Sequence, residues 1–372
     1  MTRPLHVSPT PAAAAPAPLI AVDRAAAELR RGGIVAVRAG ECMATYVLAA
    51  EAATPERLAE LEALAGRPLV LAVTGRRASV LGLVAPSPTV HQLAARGGFD
   101  AETIHVLADP CASADAVPAG LAVDAATAPV AAAVALTKLA RLLPAAVVAE
   151  IPAGVAPAAG ILVAEADEIA AYQQTAARTL TIVSQARVPL KGAENARIVA
   201  FRPADGGVEH LAIVIGDPDR DAPVLARLHS ECFTGDLLGS LRCDCGDQLK
   251  GAIAEIAQAG SGVLLYLAQE GRGIGLVNKL RAYTLQDGGM DTVDANLQLG
   301  FDDDERIYQP AAQMLRLLGI GRVRLMTNNP LKVDALAAHG IEVTERVPHV
   351  FPANDHNEGY LRTKATRSGH LF

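Results

Sequence analysis

RVRLMTNNPLKVDALAAHGIEVTERV, residues 322–347, decides the architecture of the second half of the chain. RVRLMT is a short run suited to a strand, and Pro330 after two asparagines opens an apolar helix that Gly340 closes. IEVTERV is a second strand. A strand–helix–strand unit of this length places its strands parallel in one sheet. Upstream, GVLLYL (262–267) is continuously apolar, as expected of a strand covered on both faces. GDQLKGAIAEIAQAG (246–260), GLVNKLRAYTLQD (275–287) and YQPAAQMLRLLG (308–319) carry helical patterns, and RIVAFRP and HLAIVIGD form a hairpin around ADGG. The expectation for the second half is an α/β domain, a mixed sheet flanked by helices, with its chemistry on loops at strand ends.

The first half reads as an α+β domain. Residues 1–18 form a Pro/Ala-rich tail expected to be disordered. DRAAAELRRGG is a helix stopped by glycines, and IVAVR a strand after it. TPERLAELEALAG (54–66) is a helix with Thr54 as N-cap, Pro55 at its first position and Gly66 past its end. PLVLAVT is a buried strand, 85–125 is rich in loops, and AAAVALTKLARLL (131–143) is a helix that leads into the strand AAVVAEI. The boundaries implied are a first domain over 19–183, a polar connector over 184–196 and a second domain over 197–372. A chain of 372 residues is long enough for two cores.

Apolar residues make up 51% and charged residues 20%, a globular composition. The N-terminal stretch is broken by prolines and does not read as a secretory signal. The apolar stretch 127–151 carries Lys138, Arg141 and Pro144, so a membrane span is not expected. A net charge of −7 argues against general nucleic-acid binding, and an anionic substrate would need a locally basic pocket. Five cysteines, three of them clustered, point to reduced thiols in the cytoplasm and not to a disulfide framework.

The cluster lies in RLHSECFTGDLLGSLRCDCGDQ, residues 227–248, with Cys232, Cys243 and Cys245 within fourteen positions. Cysteines flanking Asp244 can face one side of an extended loop. Spacing alone fits three buried free cysteines as well as it fits a three-thiolate metal site. Three protein ligands would leave zinc one open position, the arrangement of hydrolytic zinc enzymes.

The segment resembles the zinc segment of GTP cyclohydrolase II. Further blocks follow in that family's order: YLAQEGRGIGLVNKLRAYTLQD (266–287), DTVDANLQLGF (291–301), DDERIY (303–308), LMTNNPLKV (325–333) and YLRTKATRSGHLF (360–372). The resemblance implies zinc on Cys232, Cys243 and Cys245, and GTP contacts from Arg227, Leu228, His229, Ser230, Glu231, Gln248, Glu270, Gly271, Arg272, Thr292, Thr327 and Lys332. Without it, Gln248 reads as a solvated helix residue, Tyr283 as a core residue, Thr292 and Thr327 as caps or turns, and DDDER as a solvated charge run. It further implies Tyr283 in ring opening and formyl hydrolysis, Asp304 as proton acceptor and Arg306 as nucleophile on the α-phosphorus. A guanidinium holds its proton with a pKa above about 12, so stabilisation of phosphoryl charge is the alternative for Arg306. Magnesium with the substrate phosphates and a homodimer are implied as well. Met290 stands where many relatives have an aromatic residue.

DRAAAELRRGGIVAVR, VLAAEAATPERLAEL and LTKLARLLPAAVVAEI resemble, more faintly, 3,4-dihydroxy-2-butanone 4-phosphate synthase. That family needs an acidic run after its first strand and a Gly-His-Thr-Glu motif. Here Ala39-Gly40-Glu41-Cys42-Met43 and Ala131-Ala132-Ala133 stand there, so the domain is expected to be a degenerate scaffold. Cys42 and Cys111 are then expected to be packing residues. The alternatives to a cyclohydrolase are a bifunctional enzyme, a variant that stops at the formamide, and a non-catalytic GTP-binding zinc protein.

Overall fold

The computed structural model describes residues 14–112, 117–352, 366–367 and 371. Most of the tail 1–18 and most of the block 360–372 lie outside these residues. Tail residues Ala17 and Pro18 are nevertheless ordered: they begin the helix Ala17–Arg30, where proline in the first turn costs no hydrogen bond. Among the described residues no helix is long and apolar enough to cross a membrane.

The chain divides into two compact units, one holding 16–172 with 274–305, the other holding 173–273 with 306–372. This division differs from the linear boundaries read in the sequence. The stretch 274–305 packs with the first half of the chain, and 184–187 of the expected connector continue a strand.

In the first unit, strands β1 (Val35–Ala39), β2 (Met43–Ala49), β3 (Val70–Val73), β4 (His91–Ala94), β5 (Ala122–Ala125), β6 (Ala145–Ile151) and β7 (Val163–Glu165) form one sheet. Its order is β5-β4-β3-β6-β2-β1-β7. All pairings are antiparallel except β1 with β7. Leu48, Leu71, Leu93 and Leu107 fill one face; Val22, Val47, Val134 and Leu136 fill the other. The segment expected to be loop-rich holds β4, the helix Ala101–Ala108 capped by Asp100, and β5. Those elements are too short to give a periodic signal. The helix Pro55–Ala65 has the expected Thr54 cap and ends at Gly66, which is left-handed with φ 58°. Cys42 and Cys111 are exposed, which overturns the packing role expected for them.

In the second unit, β8 (Thr181–Arg187), β9 (Ala196–Arg202), β10 (His210–Ile215), β11 (Val224–Ser230), β12 (Gly262–Leu267), β13 (Arg322–Met326) and β14 (Glu342–Val347) form a mixed sheet. The order is β14-β13-β11-β12-β10-β9-β8. The strand–helix–strand reading holds: the helix Pro330–Ala338 joins β13 to a parallel β14. β11 lies between β12 and β13, parallel to both, and is buried along almost its whole length. Phe201, Val263, Leu265 and Met314 pack on one face, and Ile215, Leu264, Ile256 and Met326 on the other. The C-terminal ends of β11 and β12 therefore emerge side by side at the sheet's centre, where side chains can be held rigidly.

Gly300 marks how tightly residues 274–305 fit the first unit. Its φ is +87°, and an added Cβ would lie 2.8 Å from Thr74 Oγ1 and 3.1 Å from Pro144 Cγ. Gly300→Ala should lower unfolding free energy by about 2 kcal/mol, combining left-handed strain with overpacking. Urea unfolding checks this, with an unchanged midpoint as the contrary result.

Candidate metal and nucleotide site

The three cysteines converge from two local devices at the end of β11. Just past that strand, Phe233–Leu237 form a single π-helical turn with Cys232 as its cap. Cys245 begins the helix Cys245–Gln258. The three Sγ atoms lie within 4.8 Å of one another, and those of Cys232 and Cys243 are 3.7 Å apart. Sulfurs sharing a tetrahedral zinc at bonds of about 2.3 Å would sit roughly 3.8 Å apart, so the set fits that ion.

Two glycines make room for the thiols. A Cβ on Gly235 would lie 2.8 Å from Cys243 Sγ and 3.1 Å from Cys232 Sγ, and one on Gly246 would lie 2.4 Å from the Gly235 carbonyl oxygen. Crowding shifts the thiols: Cys243 is pushed up to about 11, chiefly by its hydrogen bond with Cys232, and Cys245 is raised, again chiefly by Cys232. The raised values favour neutral thiols, and holding all three as thiolates would take a cation to balance them.

Beneath the turn lies a buried carboxylate that the sequence reading did not single out. Asp236 accepts from the Cys232 amide at 3.0 Å, from Tyr266 Oη at 2.9 Å and from His229 Nε2 at 3.0 Å. The acceptor makes Nε2 the protonated nitrogen of His229. Burial lowers the His229 pKa, and Asp236 opposes it only in part, so the ring is neutral. His229 also stacks on Tyr266, with centroids 5.5 Å apart. The Tyr266 pKa is raised by burial first and by the Asp236 charge second.

Glu270 links this turn to the glycine loop after β12. Its Oε2 accepts from the Phe233 amide at 2.6 Å and its Oε1 from the Gly271 amide at 3.0 Å. The next residues are left-handed: Gly271 at φ 64°, Arg272 at φ 62° and Gly273 at φ 99°. Arginine there is strained, since a side chain disfavours that region.

The expected nucleotide contacts fall into two groups. Arg227, Leu228, His229, Ser230, Glu231, Gln248, Glu270, Gly271, Arg272, Arg306, Thr327 and Lys332 belong to the unit that holds the cysteines, whereas Tyr283, Thr292 and Asp304 belong to the other. Several of the first group are committed to protein partners. Arg227 is buried, donating from Nη1 to the Met326 carbonyl at 2.9 Å and from Nη2 to Gln248 Oε1. Burial brings its pKa down to about 10, still charged at neutral pH. Lys332 Nζ donates to the Leu228 carbonyl at 2.8 Å, and Thr327 Oγ1 accepts from the Asn329 amide at 3.0 Å, the turn duty weighed for it. Ser230 Oγ is buried with no hydrogen-bond partner, a polar atom left over for a ligand. In the other unit, Tyr283 lies half-buried on the helix Leu276–Asp287, Thr292 opens the helix Thr292–Gln298 after its cap Asp291, and Asp304 lies in an irregular stretch.

The family model described as GTP cyclohydrolase II matches residues 181–348. A GTP cyclohydrolase-2 of Azospirillum brasilense is 58% identical over 95% of this chain and 94% of its own length. The chain belongs to the GTP cyclohydrolase II family. It is an enzyme of this type. A GTP cyclohydrolase-2 of Xylella fastidiosa strain 9a5c is 39% identical over 100% of this chain and 91% of its own. One from Pseudomonas paraeruginosa is 60% identical over 46% of this chain and 84% of its own. Among solved structures, a two-domain 3,4-dihydroxy-2-butanone 4-phosphate synthase from A. baumannii aligns at 19% identity and a TM-score of 0.34, covering 89% of this chain and 99% of that one.

Within this cyclohydrolase, Asp236→Ala would strand the donors of His229, Tyr266 and Cys232. It should cost about 3 kcal/mol or more of stability, because each buried unsatisfied donor costs about 1–3 kcal/mol. Denaturant unfolding at neutral pH checks it; a loss near zero would mean water replaces the carboxylate.

Proposed function

We propose that the chain is a cytoplasmic, homodimeric, zinc-dependent GTP cyclohydrolase II of riboflavin biosynthesis. It hydrolyses GTP to 2,5-diamino-6-ribosylamino-4(3H)-pyrimidinone 5′-phosphate, formate and pyrophosphate. The observation that carries this reading is the convergence of three Sγ atoms within 4.8 Å, on a chain of this family. Zinc on Cys232, Cys243 and Cys245 would supply Lewis acidity and an acidified water at its fourth position.

The remaining work falls to the chain's own groups. Arg227 on β11 and Lys332 beside it, both buried cations, give a polyphosphate a favourable potential even while their donors hold carbonyls. With the Gly271 amide held by Glu270, the left-handed Gly271-Arg272-Gly273 run would offer its next amides to phosphate oxygens. Arg272 and Arg306 would meet the charge that develops on phosphorus, with magnesium on the leaving pyrophosphate. A guanidinium that keeps its proton stabilises charge better than it attacks, so Arg306 serves here as a stabiliser and Asp304 as proton acceptor. Tyr283, a phenol on a firmly held helix, would exchange a proton with the opening ring and the formyl group. A single exposed carboxylate at Glu41 offers no multidentate magnesium site in the first unit, so the synthase activity is not assigned.

The test is release of formate and pyrophosphate from GTP by the purified, zinc-loaded protein beside Cys243→Ser. Equal release of both products, reduced roughly 100-fold or more by the substitution, is expected for loss of a metal ligand. Neither product, with GTP still bound, would overturn the reading.

Arg272 offers a second check. Arg272→Gly should hold or raise thermal stability, since glycine removes roughly 1 kcal/mol of left-handed strain. The same change should raise KM for GTP through loss of a cation. A parallel fall in stability and affinity would count against a strained phosphate ligand.

A further inference from the structure

Residues 274–305 share a compact unit with 16–172, although about a hundred residues separate the two stretches in sequence. What holds them together is dense and polar. Arg281, on the helix Leu276–Asp287, donates from Nη2 to Glu51 Oε2 at 3.1 Å and from Nε to Asp109 Oδ2 at 3.1 Å. Its Nη1 reaches Asn278 Oδ1 at 2.9 Å. Glu51 accepts the Leu143 amide with its other oxygen, so neither carboxylate nor guanidinium can rotate freely.

The backbone is shaped to match. Asn278, fully buried, donates to the carbonyls of Arg141 at 3.2 Å and Ile274 at 3.0 Å. Arg141 holds φ 59°, a conformation unusual for a residue with a side chain. Leu143 packs with Ala282, Leu285 and Leu299. Further along the segment, Arg77 Nη1 donates to the Gln298 carbonyl at 3.1 Å and Lys138 Nζ meets Glu305 Oε1 at 2.6 Å.

Arg281 and Tyr283 are two positions apart, which is roughly 200° around a helix. The clamp therefore grips the helix on one side and leaves the half-buried phenol on another. A planar guanidinium held at two edges by two carboxylates fixes both rotation about the helix axis and translation along it, which apolar contact alone would not.

We propose that Glu51 and Asp109 are positioning residues for Tyr283, and that residues 16–172 serve the reaction as the seat for its phenol-bearing helix. This rests on the reading of Tyr283 as catalytic given above. It assigns to the first half of the chain a role in ring opening that involves no contact of its own with GTP.

The experiment uses the full-length zinc-loaded protein, with Glu51→Gln and Asp109→Asn made alone and on a Tyr283→Phe background. Each single substitution should lower kcat for formate release roughly ten-fold, the effect of a modest misplacement, with KM for GTP and zinc content unchanged. On the Tyr283→Phe background the same substitutions should lower kcat no further, because residues acting through one group are not additive. Equal falls on both backgrounds, or an unchanged kcat, would overturn the proposal. Amide hydrogen exchange over 276–287 should quicken in Glu51→Gln, and unchanged exchange would likewise overturn it. Should the Gln variant fail to fold, Arg281→Lys keeps the charge, loses the planar fork and is read in the same way. If the unsubstituted protein releases no formate, the cyclohydrolase reading fails, and the exchange measurement alone decides whether the clamp holds the helix.

Discussion

The carboxylate of Asp236 is the constraint on which the cysteine-bearing end of the second unit depends. It is 5% exposed, and a charge so deeply buried is tolerable only when its oxygens are filled. Its three donors come from different places: His229 from the end of β11, Tyr266 from the neighbouring β12, and the amide of Cys232 from the first of the three clustered cysteines. The carboxylate thus measures where two adjacent strands end and ties a cysteine backbone to both. Glu270 repeats the device a few residues past β12, joining the π-helical turn to the glycine loop. Two acidic side chains, one per strand, convert a rigid sheet into a rigid loop.

A second theme is that charged groups named by family resemblance are structural before any substrate arrives. Arg227 and Gln248 are spent on each other, with Gln248 also held by Asp244, and Lys332 spans to a β11 carbonyl. Buried arginine and lysine whose donors are partly satisfied by carbonyl oxygens can keep their charge. Such groups act on an anion through potential as much as through direct contact. Preorganised charge of this kind needs little rearrangement when phosphates enter.

Much of this was legible in the sequence, and the reasons are local. Pro330 and Gly340 bracket a helix by backbone chemistry alone, and the unbroken run GVLLYL can only be a strand buried on both sides or a helix too short to stand. The cysteine trio was legible as a candidate through residue type and spacing. Gly235 was not, because its necessity arises from the sulfurs of Cys232 and Cys243, three residues before it and eight after it, meeting above its α-carbon. Asp236 was hidden for the same reason: seven residues from His229 and thirty from Tyr266, it has no periodic relation to either. Cys42 and Cys111 misled in the opposite direction, since a cysteine's usual preference for the interior says nothing about one at a turn. The true allegiance of residues 274–305 could not be read at all, because ion pairs between distant stretches leave no mark on local patterning.

The discontinuity of the first unit has a bearing on how the protein is made. A ribosome delivers 16–172 well before 274–305, so the surface formed by Leu143, Glu51 and Asp109 emerges without the helix that packs against it. During that interval a half-buried carboxylate pair and an apolar floor face water. Closure of the unit then waits on a chain loop of about a hundred residues, whose entropy grows only slowly with length but delays the search for native contacts. Vectorial synthesis therefore leaves this domain as an open half until the second sheet's β12 has already been extruded, a window in which the nascent chain is open to chaperones and to aggregation alike.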